Sequence, residues 1–258
     1  MRKTSKIEKK IKKKKIGLII VILFFLLSIF FVLFTKTDFF NVTAIEVINN
    51  NKLNNDEIIM ASGLVKGENI FIINISDLEN NLTKLPYIKE VDIKRSLPNK
   101  IIMNIKERTD FMIISYIGSF LYLDNEGVLI NISITRENKN IPIINGLQIN
   151  NPQLGDKLLL NDDENIDDIV NFLKLSNVVG LYDEINEIEF INNKDINFRL
   201  ETGTTVAFGG LNNVKYKLRF VVEIINKLYE SGDLNEDNAS RGFIDLTQGE
   251  DAVFTLKE

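Results

Sequence analysis

The sequence contains no cysteine and no histidine among its 258 residues. The lack of cysteine excludes a disulfide framework, a thiol nucleophile and a zinc site built from thiolates. The lack of histidine removes the commonest general base and the commonest metal ligand. The sequence also has no phosphate-binding loop, no G-x-S-x-G pattern and no metal-ligand spacing. These absences leave carboxylates as the only candidate catalytic groups, and we predict no cofactor.

Charge is distributed unevenly along the chain. Residues 1–15 hold nine lysines and arginines against one glutamate, a net charge of +8, whereas the whole chain carries −5. The remaining residues therefore carry a net charge of −13. A basic tip on an acidic body argues against a nucleic-acid-binding domain, because most of the surface would repel a phosphate backbone.

An uninterrupted apolar run follows the basic tip. Residues 16–34, IGLIIVILFFLLSIFFVLF, contain no charge, and a helix of that length spans roughly 28 Å, about one bilayer hydrocarbon core. A buried core helix that is apolar on every face would need a much larger protein around it. A cleaved signal peptide would have a shorter apolar region and a small-x-small site in place of TKTDFFNV. We therefore predict a transmembrane helix over residues 16–35 that remains as an anchor.

The lysines predict the orientation of this helix in the membrane. The N-terminal flank is strongly basic, whereas the other flank offers only Lys36 close to the membrane. The positive-inside rule then keeps residues 1–15 in the cytoplasm as a basic tail. The expected topology is a single-pass protein of the cell membrane with its bulk outside the cytoplasm.

The residues after the apolar run predict a small α+β domain. NVTAIEVI alternates as a strand, and NNDEIIMASGL predicts a short helix with Asn54 or Asn55 as its cap and Gly63 as its stop. ISDLENNLTKLP predicts a second helix that starts from a Ser76 cap. Residues 85–108 then predict two charged strands folded back on each other. The order strand, helix, helix, strand, strand indicates a three-stranded sheet packed on two helices.

Apolar and polar residues alternate in the last two strands of this domain. We expect Val91, Ile93 and Leu97 on the face that packs on the helices, while the other face meets water. At least one strand edge stays uncovered, and proteins usually mask such edges. The hairpin could receive another extended chain, or it could only complete the fold with its lysines protecting the edge. Both interpretations remain open.

An ordered set of motifs gives a specific resemblance. The motifs are F-N-V-x-x-I-E-V, G-L-x-x-G-E-N-I-F (Gly63 to Phe71), L-x-x-L-P-Y-I-K-E-V-x-I-x-R-x-L-P-N (Leu82 to Asn99) and I-K-E-R ending at Arg108. Together they resemble the POTRA domain of the bacterial cell-division protein FtsQ, called DivIB in Gram-positive bacteria. The likeness continues into GSFLYLDNEGVLI and implies a POTRA domain over residues 40–108. Tyr87 stands where family members often have tryptophan.

Residues 109–258 predict a second domain rich in antiparallel strands. FMIISYI and SFLYL flank a turn at Gly118, and three later strands form a meander with turns at Asn192-Asn193 and Gly203. Helical spacing of apolar residues predicts one helix from Ile166 to Leu173 and a longer one through Leu218. The predicted fold class is α+β: one transmembrane helix, a POTRA domain (β-α-α-β-β) and a C-terminal, mostly antiparallel β domain with two helices.

One acidic cluster, NDDENIDD at residues 161–168, is a candidate for chemistry. Outside the cytoplasm it would lie near cell-wall polymer, and a pair of carboxylates can hydrolyse a glycan. Asp162, Asp163 and Glu164 are better explained as residues that cap a helix N-terminus and favour it by charge. We therefore predict that the chain is not an enzyme.

The family resemblance implies a non-catalytic bitopic scaffold of the divisome that recruits or links septal division proteins through its extracytoplasmic domains. The implied partners are the small coiled-coil proteins FtsB and FtsL, or DivIC and FtsL in Gram-positive bacteria, with no nucleic acid and no small-molecule substrate. One alternative is a POTRA-type module that guides polypeptide export, which would need repeated POTRA units and many amphipathic strands. A membrane-anchored carboxylate glycan hydrolase is a further alternative.

The resemblance also implies that a partner docks at the end of the β domain, in FIDLTQGEDAVFTL. A last strand offers a row of backbone donors and acceptors to an incoming strand. Phe254 and Leu256 could instead be core residues only. The predicted partner-binding residues are Phe243, Ile244, Gln248, Ala252, Phe254 and Leu256.

Overall fold

The structure is a computed structural model that describes residues 2–161, 165–191, 195–248 and 252–257. Five α-helices and fourteen β-strands lie within these described ranges. The chain divides into two compact units, each with its own core. The first unit comprises Met1–Thr83 and Glu90–Lys106, and the second comprises Lys84–Lys89 and Glu107–Glu258.

The first unit begins with a long continuous helix, α1 (Arg2–Lys36). The segment Lys10–Val32 of α1 is long and apolar enough to cross a membrane, and none of it is buried against protein. The helix begins before the apolar run because lysine is a good helix former and extends the helix from its N-terminal side. A short 3₁₀ turn (Asp38–Phe40) follows.

A three-stranded sheet and two short helices complete the first unit. Their chain order is β1 (Ala44–Ile48), α2 (Asn55–Ser62), α3 (Ile75–Leu82), β2 (Ile88–Ser96) and β3 (Lys100–Glu107), which confirms the predicted β-α-α-β-β order. Strand β3 lies between β1 and β2, and β1 pairs in parallel with β3 from Ala44 opposite Lys100. Three residues at alternate positions of β3 are buried on one face of the sheet: Ile101, Met103 and Ile105.

Two local predictions in this unit need correction. The cap of α3 is Asn74 rather than Ser76, because the Asn74 side chain accepts a hydrogen bond from the backbone N–H of Ser76, which already lies inside the helix. Leu97 does not pack with Val91 and Ile93, and 60% of it is exposed, because it lies in the turn beyond the end of β2. The predicted cap of α2 is correct at Asn54, which accepts from Glu57 N–H.

The second unit is built on a nine-stranded mixed sheet. In chain order its strands are β4 (Met112–Tyr116), β5 (Ser119–Leu123), β6 (Leu129–Ser133), β7 (Ile143–Asn145), β10 (Ile185–Phe190), β11 (Asp195–Leu200), β12 (Thr205–Gly210), β13 (Gly242–Asp245) and β14 (Val253–Leu256), with a small separate pair β8 (Ile149–Asn150) and β9 (Leu159–Leu160). The spatial order is β14-β13-β12-β11-β10-β7-β4-β5-β6. Neighbours pair antiparallel except at β4–β7, β7–β10 and β12–β13, so the mostly antiparallel prediction is confirmed.

Two helices pack on one face of this sheet, as their apolar spacing predicts. They are α4 (Ile166–Val178) and α5 (Val214–Ser231). The rings of Phe172, Phe198 and Phe208 meet between α4 and the sheet with centroids 5.2–5.9 Å apart. Asn165 caps α4 by accepting from Asp167 N–H, so the predicted capping role of an acidic residue is taken by asparagine. Asp162, Asp163 and Glu164 lie outside the described residues, as do Asn192 and Asn193.

Candidate partner-binding edge

Strand β14 forms one edge of the nine-stranded sheet. It pairs antiparallel with β13, with Phe254 opposite Ile244 and Leu256 opposite Gly242. Among the described residues no strand pairs with the outer side of β14. The last described strand of the chain therefore presents an open edge, which is the geometry that an added strand requires.

The direction of each backbone group on β14 follows from one hydrogen bond. Lys257 N–H donates to Arg241 O at 2.8 Å, which makes these two residues a hydrogen-bonded pair. Hydrogen-bonded and non-hydrogen-bonded pairs alternate along an antiparallel ladder. The backbone groups of Val253 and Thr255 therefore face β13, whereas those of Phe254 and Leu256 face the open edge.

The side chains of β14 alternate between core and solvent. Phe254 is half-buried and packs against the main core of this unit, beside the fully buried Ile244. Leu256 lies on the same face at the rim of the core, with 43% of it exposed. Val253 on the other face is 42% exposed. The open edge thus presents the outward backbone N–H and C=O groups of Phe254 and Leu256, with apolar side chains on both faces of β14.

The other predicted site residues occupy different positions around this edge. Ala252, directly before β14, is half-buried. Ile244, which pairs with Phe254, is 0% exposed, so it belongs to the core and does not meet solvent. Phe243 is half-buried on the opposite face of β13, where the Lys257 ammonium lies 4.1 Å from its ring centroid.

Gln248 belongs to a turn that Asp245 organises at the end of β13. The Asp245 carboxylate accepts from the Thr247 hydroxyl at 2.6 Å, from Thr247 N–H at 2.8 Å and from the Gln248 amide at 3.0 Å. These hydrogen bonds hold the pKa of Asp245 below its ordinary value, and the bond from the Thr247 hydroxyl contributes most. These hydrogen bonds fix the exposed Gln248 side chain beside the end of β13.

The acidic residues that are described do not converge on a reactive centre. Asp167 pairs with the Lys157 ammonium at 2.6 Å and lies in the first turn of α4, where a carboxylate is favoured by the helix dipole. Among the described residues no cluster of three or more carboxylates is placed to hold a metal ion.

The best-buried charged group of the second unit is Asp124, in the turn between β5 and β6. Its carboxylate accepts from the backbone N–H groups of Glu126 and Val128 and forms an ion pair with Arg108. Glu126 joins this cluster through ion pairs with Lys89 at 2.7 Å and with Arg108 at 3.1 Å. These two contacts lower the pKa of Glu126, and the contact with Lys89 contributes most. In the sequence Arg108 marks only the end of a motif, and its ionic partner gives no local signal because the two residues lie 16 positions apart.

Comparison with known protein families gives two adjoining matches. The model described as "POTRA domain, FtsQ-type" matches residues 40–108, and the model described as "Cell division protein FtsQ/DivIB, C-terminal" matches residues 115–246. The second match alone covers about half of the 258 residues. This chain belongs to the FtsQ/DivIB family. Strand β14 lies just beyond the range that the FtsQ/DivIB C-terminal model matches.

Individual FtsQ/DivIB relatives cover most of the chain. The cell division protein DivIB of Clostridium tetani is 30% identical over 200 residues, which are 78% of this chain and 69% of that protein. DivIB of Clostridium botulinum strain Loch Maree is 28% identical over 251 residues, which are 96% of this chain and 94% of that protein. A solved structure of the major extracytoplasmic domain of DivIB from Geobacillus stearothermophilus is 14% identical and covers 48% of this chain and 97% of that chain, with a TM-score of 0.33.

Proposed function

We propose that this chain is a non-catalytic scaffold of the bacterial divisome that crosses the cell membrane once. Its FtsQ/DivIB relatives are named cell division proteins, and none of the relatives described above is named for export or glycan hydrolysis. Family membership therefore favours the division role over both alternatives. In this proposal residues 1–15 lie in the cytoplasm, α1 spans the membrane, and the two folded domains, residues 40–108 and 109–258, act outside it at the division septum.

The orientation rests on charge around α1. The +8 charge of residues 1–15 and the positive-inside rule favour a cytoplasmic N-terminus. A reporter enzyme that is active only outside the cytoplasm, fused after Glu258, should be active. An inactive but fully expressed fusion would contradict this orientation.

The open edge of β14 is the observation that carries the scaffold proposal. An extended segment of an FtsB- or DivIC-like partner, acting together with an FtsL-like protein, would add a tenth strand beside β14. The outward backbone groups of Phe254 and Leu256 would supply its hydrogen bonds, and Ala252, Val253 and Leu256 would contact its side chains. Gln248 would bound one end of the site, while Phe243 and Ile244 would hold β14 in place. Such an interface needs no catalytic group, which fits a scaffold.

A proline scan of β14 tests this geometry directly. Leu256→Pro removes an N–H that points to the open edge, and proline is tolerated on edge strands where the N–H faces outward. Thr255→Pro removes an N–H that points to β13 and breaks the existing ladder. Leu256→Ala is the matched control for loss of the leucine side chain.

We expect Leu256→Pro to keep its unfolding temperature and to lose binding of the partner's extracellular segment. The missing hydrogen bond alone is worth about 0.5–1.5 kcal/mol, roughly two- to tenfold in Kd, and the proline ring also obstructs the incoming strand. Leu256→Ala should bind more tightly than Leu256→Pro, and Thr255→Pro should unfold more easily. Wild-type affinity in a folded Leu256→Pro variant would rule out strand addition at this edge. In the native bacterium, Leu256→Pro should also fail to restore septa when the chromosomal copy is depleted.

A further inference from the structure

Six large apolar side chains are exposed on the folded part of the first unit, and three of them, Phe39, Ile72 and Leu97, lie towards the end that follows α1. Phe39 lies in the 3₁₀ turn directly after α1, and 64% of it is exposed. Ile72 lies in the loop before α3 and is 75% exposed, and Leu97 lies in the turn between β2 and β3 and is 60% exposed. Each is distant from the others in sequence, so their common location is visible only in the fold.

Backbone hydrogen bonds bring the loop of Ile72 beside the segment that leaves α1. Ile70 N–H donates to Phe40 O and Val42 N–H donates to Glu68 O, both at 2.8 Å. Phe40 also contacts the rings of Phe39 at 4.9 Å and Phe71 at 5.3 Å, both in edge-on geometry. The loop and the 3₁₀ turn therefore form one rigid corner.

The turn that carries Leu97 belongs to the same end of the unit. Thr43 N–H donates to Asn99 O at 2.9 Å, directly before Ala44 pairs with Lys100. Arg95, two residues before Leu97, donates to Ile70 O at 2.7 Å and to Ile73 O at 2.6 Å. Parallel pairing of β1 with β3 thus places the hairpin turn at the end where the chain enters the domain.

This end of the unit cannot lie far from the end of α1. Phe39 is three residues beyond Lys36, where α1 ends, so the two Cα atoms are separated by at most about 10 Å. The headgroup layer of a bilayer adds roughly 5–8 Å on each side of the hydrocarbon core. An apolar corner tethered so closely to a membrane-spanning helix has the headgroup layer within its reach.

We propose that Phe39, Ile72 and Leu97 form a membrane-contact platform that rests in the headgroup layer of the same bilayer that α1 spans. The platform rests on the proposed transmembrane role of α1 and adds a second, reversible contact to it. Burial of these side chains at the interface removes apolar surface from water. Phenylalanine and leucine are common on apolar faces that lie in the membrane interface. Contact of these three side chains with the bilayer would fix the tilt of the domain relative to the membrane. The chain between α1 and the domain is a single connection, which alone would leave the domain free to rotate.

The absence of tryptophan from the sequence allows a direct test in the full-length chain. Phe39→Trp, Ile72→Trp and Leu97→Trp each introduce a single fluorophore at the platform. The proteins are reconstituted into lipid vesicles that contain either ordinary lipids or lipids brominated near the headgroup end of the acyl chain, which quench tryptophan on contact. We expect a blue-shifted emission and strong quenching for all three variants.

Two control variants separate the platform from the membrane span itself. Asp56→Trp places the fluorophore in the exposed first turn of α2. The hydrogen bond from Asn50 to Asn55 at 2.8 Å holds that turn at the far end of the five-residue strand β1, roughly 16 Å away along the strand. Phe25→Trp places it within α1, where lipids brominated deep in the acyl chain should quench it. Asp56→Trp should remain unquenched with either lipid.

The pattern of quenching decides between the possible results. If Phe25→Trp is quenched while Ile72→Trp or Leu97→Trp matches the Asp56→Trp control, the platform is refuted and the span stands. Quenching of Asp56→Trp to the same degree would also refute it, since the lipid contact would then not be confined to this end. If Phe25→Trp is unquenched, the proposed membrane span is refuted, and the platform with it.

Discussion

Replacing Asp124 with asparagine should be among the most destabilising single changes in the second unit. Asparagine keeps a carbonyl oxygen for the N–H groups of Glu126 and Val128, which donate to Asp124 at 2.8 and 2.9 Å. It removes the negative charge that faces Arg108, whose side chain is only 16% exposed. The cation is then left in a poorly hydrated position with Glu126 as its remaining partner.

The size of the effect follows from burial. Removal of one partner of a buried ion pair costs about 3–5 kcal/mol, and the surviving Glu126 contact places Asp124→Asn near 3 kcal/mol. Asp124→Ala also leaves two backbone N–H groups without an acceptor, at about 1–3 kcal/mol each, and should be clearly worse. For a domain of this size 1 kcal/mol corresponds to roughly 2–4 °C in Tm, so we expect Asp124→Asn to lower the Tm by about 6–12 °C.

Thermal unfolding followed by near-UV circular dichroism measures this loss in the full-length protein. Glu223→Gln is the matched control, because it breaks an exposed ion pair with Lys227 on α5 and should leave the midpoint unchanged. The difference in Tm between wild type and Asp124→Asn should also change little in 1 M salt, since a buried pair is weakly screened. A wild-type Tm for Asp124→Asn would refute the assignment of this pair as a major stabilising contact.

Two further predictions concern the same unit. Gly146→Ala should destabilise it strongly, because a Cβ at Gly146 would clash with the carbonyl oxygen of Phe190. Gly155→Ala, also at positive φ but with no atom within 4 Å, should cost much less, and equal melting temperatures for the two variants would refute the clash. Burial, and then the charge of Asp183, raises the pKa of Tyr182 to about 12, while its hydroxyl donates to Phe111 O at 2.6 Å. Because the pKa is raised by folding, its stabilisation is complete below pH 10 and is lost between pH 10 and about 12; Tyr182→Phe should reduce that alkaline loss and lower stability by about 1 kcal/mol at neutral pH.

Local patterns in the sequence were sufficient for most of the secondary structure. The helices α4 and α5 follow from apolar residues at helical spacing, and the β4–β5 hairpin follows from the turn at Gly118, because each signal lies within one element. The cap of α3 was misassigned since both Asn74 and Ser76 are good capping residues and only the hydrogen bond distinguishes them. Leu97 was misplaced because alternation was continued one residue past the end of the strand.

Contacts between distant segments could not be predicted in this way. The ion pair of Arg108 with Asp124 and the hydrogen bonds from Arg95 to the loop before α3 depend on strand register, which a single sequence does not specify. At the candidate site, the sequence predicts the closing strand and its alternation. It could not reveal that Phe254 and Leu256 turn their backbone groups outward, because that depends on the phase of the β13–β14 ladder.

The short strand β7 has a mechanical consequence for the nine-stranded sheet. Among the residues that the structure describes, strands β4, β5 and β6 on one side and β10 to β14 on the other are joined within the sheet only through the three residues Ile143–Asn145. If a partner pulls on β14 while the septum constricts, the load that travels through the sheet must cross this narrow seam. Within the seam β7 matches β4 at only two positions, whereas β12 and β13 pair at three and β10 and β11 at five. Fewer hydrogen bonds share the load between β4 and β7, so tension would separate the sheet there before the partner-binding half lost its own pairing.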